Sequence, residues 1–364
     1  MEEVQQVDQQ TLDLIFLKDS TDASLLSFLQ IAQSSNAILH LAIINFRNGT
    51  PLLFLHALGQ GFLIEVKNAK SFAFERFFAN LQFFINIDRD LASILYHLPL
   101  QKNNIHDVNI AQSLINHDKS YDNIGYFKLN TIDVPGDINI SYVKSVLIKG
   151  MAISSAWDVI IQDLDSINKR SIYESIIAER FQRLQLYNTP LVELDRISSL
   201  YQVLDIGEKE RMQDVFKVLQ SSANYMSIPI SNIATLQTLE VFVLKAPKVF
   251  EDISRIAGFN KKIVHSAIIR KILAIFSKTE SSIKRNRPME IAIDAILSLC
   301  STQHGIDKSM VASKHDIIAF LNGNLNVDFL NGWKKEVFGN YAVAFIENKS
   351  IVEVKNMQLS VTNK

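Results

Sequence analysis

Cations are the most clustered of the residues in this chain that could do chemistry. Eleven Lys and Arg fall between Lys245 and Arg287, among them Lys245, Lys261, Lys262, Arg270 and Lys271. Only three acids, Glu251, Asp252 and Glu280, share that window, giving a local charge of +8 on a chain whose formal net charge is −1. A basic segment on a near-neutral chain is the footprint of phosphate contact, although a solvated helical face carries the same pattern. Acids are unevenly placed as well, with none between Asp22 and Glu65. Asp90 and Asp158, on their own text, read as acids near helix N-termini or on the surface, and Asp107 reads as an N-cap. His40 and His56 sit in apolar strand text, which suits satisfied core or edge histidines better than metal ligands. Ser154 and Ser155 have no base in a nucleophile context. Cys300 is the single thiol, so an intrachain disulfide and a Cys-rich zinc site are excluded, and a reducing compartment is expected. The absence of a Gly-rich phosphate loop argues against an ATPase or a dinucleotide enzyme.

The elements that must position these groups change character along the chain. At 364 residues, with 48% hydrophobic and 21% charged, the chain is expected to be a packed protein of two or three domains. The first hundred residues alternate. Leu14–Leu17, Ala37–Phe46, Leu52–Ala57, Gly61–Val66 and Gln82–Ile87 read as strands, with a turn at Arg47-Asn48-Gly49. Thr21–Gln33, Ala73–Ala79 and the stretch opened by Asp88 read as helices. From about Ile140 onward helical periodicity dominates. It predicts helices over Tyr142–Lys149, Ala152–Asn168, Ile172–Leu186, Glu208–Tyr225, Asn232–Leu244, Val249–Ala257, Lys261–Ser277 and Pro288–Ser301. Ser313 to Asp316 resembles a capping box ahead of Ile317–Leu321, and Asp328–Phe345 predicts a last helix pair. The N-terminus MEEVQQVDQQ is acidic and polar, unlike a signal peptide, and the apolar run Ala37–Phe46 is too short to cross a bilayer. A cytoplasmic location without a membrane partner is the expectation.

The C-terminal text is the most specific. Gly305-Ile306-Asp307, Val311-Ala312-Ser313, Asp316 and Leu330-Asn331-Gly332-Trp333-Lys334-Lys335-Glu336 follow the pattern "GID…LLASR.DL…LL.GWR.E". That pattern resembles the end of bacterial ribonuclease D, in its helicase-and-RNase-D C-terminal (HRDC) module. Ala223-Asn224, Ile228-Pro229, Leu236, Leu239, Pro247 and Ile253–Gly258 resemble a first HRDC-type module. Further upstream, Gln82 to Leu91 is similar to the "KFLHAGSEDL" pattern, and Ile105 to Ala111 is similar to "LFDTQIAA".

This resemblance implies a fold of α/β followed by all-α: an RNase H-like exonuclease fold with a mixed sheet, then two helical HRDC-type modules. The implied domains are 1–195, 205–285 and 286–364. Ribonuclease D belongs to the DEDD 3′–5′ exonucleases, in which four carboxylates hold two Mg²⁺ or Mn²⁺ ions, because hard cations prefer oxygen ligands. Carried over residue by residue, the metal-binding aspartates fall on Asp90 and Asp158. The first motif, Asp-x-Glu-Phe, falls on Ile43 and Asn45 ahead of Phe46, and the tyrosine that orients the attacking water falls on Ser154. Glu65 takes the place of an acid outside the metal site. The resemblance therefore implies an RNA-binding ribonuclease D homologue with impaired catalysis. No metal cofactor is expected unless the site is active, in which case Mg²⁺ or Mn²⁺ is. Structured or tRNA-like RNA is the expected partner, with phosphate contacts at Lys245, Lys261, Lys262, Arg270 and Lys271; Lys334-Lys335 reads equally as a phosphate contact or a solvated helix face. Trp333 is expected to anchor the last module. Two alternatives stay open: an active exoribonuclease that recruits Asp88 or Asp107, and a protein-interaction scaffold built on the HRDC modules.

Overall fold

The computed structural model describes residues 11–17, 22–44, 52–58, 60–65, 77–86, 90–98, 100–115, 128–132, 157–188, 194–261, 263–277, 286–355 and 358–363. The chain forms two compact units, Met1–Gln182 and Arg183–Lys364. The expected turn at 47–49, the helix at 142–149 and most of the helix at 73–79 lie outside the described residues.

The first unit is built on a seven-stranded mixed sheet. Its strands are β1 (Thr11–Leu17), β2 (Ile38–Ile44), β3 (Leu52–Ala57), β4 (Gln60–Glu65), β5 (Gln82–Phe84), β6 (Ile105–His106) and β7 (Lys128–Ile132). Their order is β6-β5-β2-β3-β4-β1-β7. The meander β2-β3-β4 is antiparallel, and the strands outside it pair parallel. Every residue of β3 is buried, which explains its unbroken apolar text: a strand covered on both faces needs no polar alternation. Strand β7 is absent from the sequence reading, because Lys128-Leu-Asn-Thr-Ile132 alternates too weakly to stand out.

Helix Ala23–Ser34 closes the early crossover. Asp22 caps it by accepting the Ser24 N–H at 2.8 Å. Leu25, Phe28, Leu29 and Ala32 recur at helical spacing and are buried, with the Phe28 ring 4.8 Å from that of Phe62 on β4. Burying each large side chain contributes about 1.5–3 kcal/mol, far more than the cap's roughly 1 kcal/mol.

The second unit is mostly helical. Its longest helix, Ile206–Met226, starts at a capping box in which Asp205 and Glu208 serve each other's backbone N–H groups, and ends where Ser227 turns left-handed. Met212, Val215, Phe216, Leu219 and Ala223 bury one face of it. Helices Leu236–Lys245 and Ser266–Phe276 pack against that face, with Phe242, Ile272 and Phe276 fully buried. Further on come helices Arg287–His304, Lys308–Val311 and Lys314–Leu321, then a π-turn at Lys335–Gly339 and helix Asn340–Ile346. The capping box at Ser313 and Asp316 is present in both directions, at 3.1 Å each. Gly339 lies against the Phe329 carbonyl, where a Cβ would come within 2.3 Å of the oxygen.

Two elements differ from the sequence-based expectation. The helix predicted from Lys261 begins at Ser266. The preceding residues are tied back instead: Phe259 bridges to Ala234, and the Asn260 N–H donates to the Ile233 carbonyl at 2.8 Å. The helical half also ends in an antiparallel hairpin, β8 (Ser350–Lys355) with β9 (Gln358–Asn363). Its strands alternate apolar and polar residues, a signal overlooked so late in helical text.

Candidate functional site

In the first unit, the positions expected to carry metal ligands fall in three unlike settings. Ile43 stands near the end of β2, opposite Leu53 of β3, and is 6% exposed. Its burial follows from the strand's own pattern, as Leu39, Leu41 and Ala42 are buried beside it. Asp90 is 2% exposed, and its N–H donates to the Asn86 carbonyl at 2.8 Å, opening the turn into helix Ala92–His97. Asp158 is exposed, in the first turn of the helical stretch 157–166. Asn45 and Ser154 lie outside the described residues, as does Asp88.

Trp157, beside Asp158, is buried and fixes the start of that helix. Its ring lies 5.2 Å from Phe84 of β5, 4.9 Å from His106 of β6 and 6.0 Å from Tyr173. Burial holds His106 neutral, with its pKa lowered to about 4, and the charge of Arg170 acts in the same direction. His106 Nε2 meets Gln82 Oε1 at 3.0 Å. The Tyr173 hydroxyl accepts the Asp107 N–H at 3.0 Å, and burial raises the pKa of that phenol. Sequence reasoning missed this aromatic cluster, although His106 and Asp107 stand in the text that sets the register. Asp107 is an N-cap, as expected: its carboxylate accepts from Asn109 at 2.8 Å and Ile110 at 3.3 Å.

His40 and His56 face each other across β2 and β3 and are buried. The expectation of satisfied histidines needs correction for His56, since neither of its ring nitrogens has a hydrogen-bond partner. The ring stacks on Phe54 instead, at 6.4 Å and an interplanar angle of 3°. Burial lowers the His56 pKa to about 4. Among the described residues, no group of three or more His, Cys, Asp or Glu could hold a metal ion.

The cations of the second unit lie outside its core. Lys245 ends helix Leu236–Lys245, and Arg270 and Lys271 ride on helix Ser266–Phe276, all three exposed. Lys261 is also exposed but sits in a turn, where its Nζ donates to the Ser254 carbonyl at 3.0 Å. Lys262 lies outside the described residues. Lys334 does not fit phosphate contact: it is 7% exposed, its Nζ 5.8 Å from the Trp333 ring. Trp333 is itself only half-buried, and the fully buried aromatic side chains of this stretch are Phe329 and Phe338, with rings 5.0 Å apart.

A buried polar knot, unforeseen from sequence, ties three segments of this unit. Glu240 accepts from Ser198 Oγ at 2.6 Å and lies 2.9 Å from His315 Nδ1. Nearby, Ser199 Oγ donates to Asp316 at 2.5 Å, and the Asn324 amide donates to the Ser199 carbonyl at 2.8 Å. Its members are scattered through the text, so no local spacing betrays it.

No family model matches the chain. A curated ribonuclease D of Bartonella henselae is 23% identical over 154 residues, a match covering 38% of this chain and 38% of that protein. The crystal structure of Escherichia coli RNase D, described as an exoribonuclease involved in structured RNA processing, covers 94% of this chain and 99% of its own at 12% identity, with a TM-score of 0.55. A crystal structure of a protein from Bifidobacterium adolescentis covers 91% and 97% at 10% identity, with a TM-score of 0.51. The fold is thereby defined: it is similar to that of E. coli RNase D, a mixed sheet continued by a mostly helical region. Within that fold, the chain is similar in sequence to a ribonuclease D over 38% of its length. Among the described residues, no helix is long and apolar enough to cross a membrane.

Proposed function

We propose that this chain binds structured or tRNA-like RNA and that its exonuclease centre is catalytically impaired. The observation that carries the reading is Ile43, buried near the end of β2, where the family places the first metal-binding carboxylate. An aliphatic side chain offers a divalent cation no oxygen, and Asn45 would supply at most a neutral amide. Asp90 and Asp158 remain as acids, one buried and one exposed. These residues do not fit a paired Mg²⁺ or Mn²⁺ site, which needs several converging carboxylates. Each missing carboxylate weakens cation binding by several kcal/mol.

RNA binding does not require that centre. Phosphate attraction needs only the basic surface, and Lys245, Lys261, Arg270 and Lys271 supply exposed cations on the helical unit. We assign residues 1–195 to the degenerate exonuclease domain, with HRDC-type modules at 205–285 and 286–364. Incubation of 3′-labelled RNA with the protein in Mn²⁺ tests the reading. The expected result is retention of the label, with RNA bound at low salt. Nucleotide release that disappears in Asp90→Ala would show a working enzyme instead.

A further inference from the structure

Helices Ile206–Met226 and Ser266–Phe276 pack closely in the core but part at the surface, leaving an open groove of about 370 Å³. One wall is a single face of the first helix, from Lys217 and Val218 to Tyr225. The other is the start of the second helix, at His265, Ile268 and Lys271. No residue lining the groove is acidic. Tyr225 is 87% exposed, a large aromatic side chain presented to solvent at the groove's edge.

We infer that this groove takes one unstacked nucleotide of single-stranded RNA, its base on the Tyr225 ring and its phosphates between Lys217 and Lys271. The inference rests on the RNA-binding reading and deepens it by naming where a single strand is gripped. Two features of the groove select this ligand. A bare aromatic face beside cations matches an unpaired nucleotide, which offers a π-face and a phosphate together. A duplex keeps its bases stacked and presents only phosphate, so Tyr225 would have nothing to cover. The apolar floor at Val218 and Ile268 suits the flat face of a base or sugar. Lys217 already lies 3.3 Å from Asp214, but both side chains are more than half exposed. Such a surface pair is weak and exchanges readily for a phosphate. Arg270, one position before Lys271, does not line the groove, so the two cations have separable roles.

Fluorescence anisotropy of the full chain with a labelled oligouridylate, and with a labelled RNA duplex, tests the assignment. Tyr225→Ala should weaken the single strand by about tenfold and leave the duplex within about twofold, while Tyr225→Phe restores the single-strand affinity. A 2-aminopurine placed in the strand should be quenched on binding to the natural protein and not on binding to Tyr225→Ala. Because Tyr225 is solvent-exposed, its replacement should leave the unfolding midpoint unchanged, which separates loss of contact from loss of fold. Unchanged single-strand affinity in Tyr225→Ala, with affinity lost in Arg270→Ala, would overturn the groove and leave RNA binding intact. No binding of either RNA at low salt would overturn the RNA-binding reading and this inference together.

Discussion

At the scale of single residues, His56 carries the clearest solution consequence. In the unfolded chain its ring takes up a proton below about pH 6.5, whereas the buried ring stays neutral until about pH 4. The unfolded state thus binds more protons across that window, so stability is full above pH 6.5 and drains away as pH falls toward 4. Full titration of this one group costs about 3 kcal/mol. Urea unfolding midpoints measured from pH 7 to 4 should fall steeply, and His56→Leu should flatten part of the slope. An identical slope in that variant would contradict the assignment. His106, held neutral by the same desolvation, accounts for a second share of the acid sensitivity. Sequence text marked both rings as apolar-strand or register residues, but their burial, and the unpartnered nitrogens of His56, depend on neighbours that spacing does not reveal. The aliphatic character of Ile43 needs no coordinates to be noticed, whereas its burial near the end of β2 does.

At the scale of elements, strands and long helices were readable because burial imposes periodicity, while connections were not. β3 appears at Leu52–Ala57 as expected, and helix Ile206–Met226 within two residues of its expected start. The late start of helix Ser266–Phe276 escaped notice because a tertiary bridge, Phe259 to Ala234, competes with local helix propensity. Tertiary ties of this kind should be expensive to cut. Glu240→Ala leaves the buried Ser198 hydroxyl without its acceptor and should cost about 1–3 kcal/mol, read from denaturant unfolding. Tyr173→Phe removes the acceptor of the buried Asp107 N–H and should cost about 1–2 kcal/mol. A loss below about 0.5 kcal/mol in either variant would mean that the contact is replaced from elsewhere, for instance by water.

At the scale of the whole molecule, the division into an α/β part and a helical part was visible in the change of periodicity near Ile140. The agreement in fold with E. coli RNase D extends over 94% of the chain at only 12% identity, because patterning survives where residue identity does not. The electrostatic partition was equally legible: a near-neutral chain concentrates its excess of cations between Lys245 and Arg287. RNA affinity should therefore fall steeply with salt. Replacing Lys261 or Arg270 by Ala should lower the slope of log K against log salt by about one each. A slope unchanged by both would move the phosphate contacts to another surface.

The order of strands in the sheet also bears on how the protein is made. β1 leaves the ribosome before any other strand described, yet its partners are β4 and, more than a hundred residues later, β7. At a synthesis rate of roughly 5–20 residues per second, one edge of β1 waits on the order of 10 s for its mate. During that delay the local meander β2-β3-β4 can close by itself, so the nascent chain offers β1 a template on one side long before the other arrives.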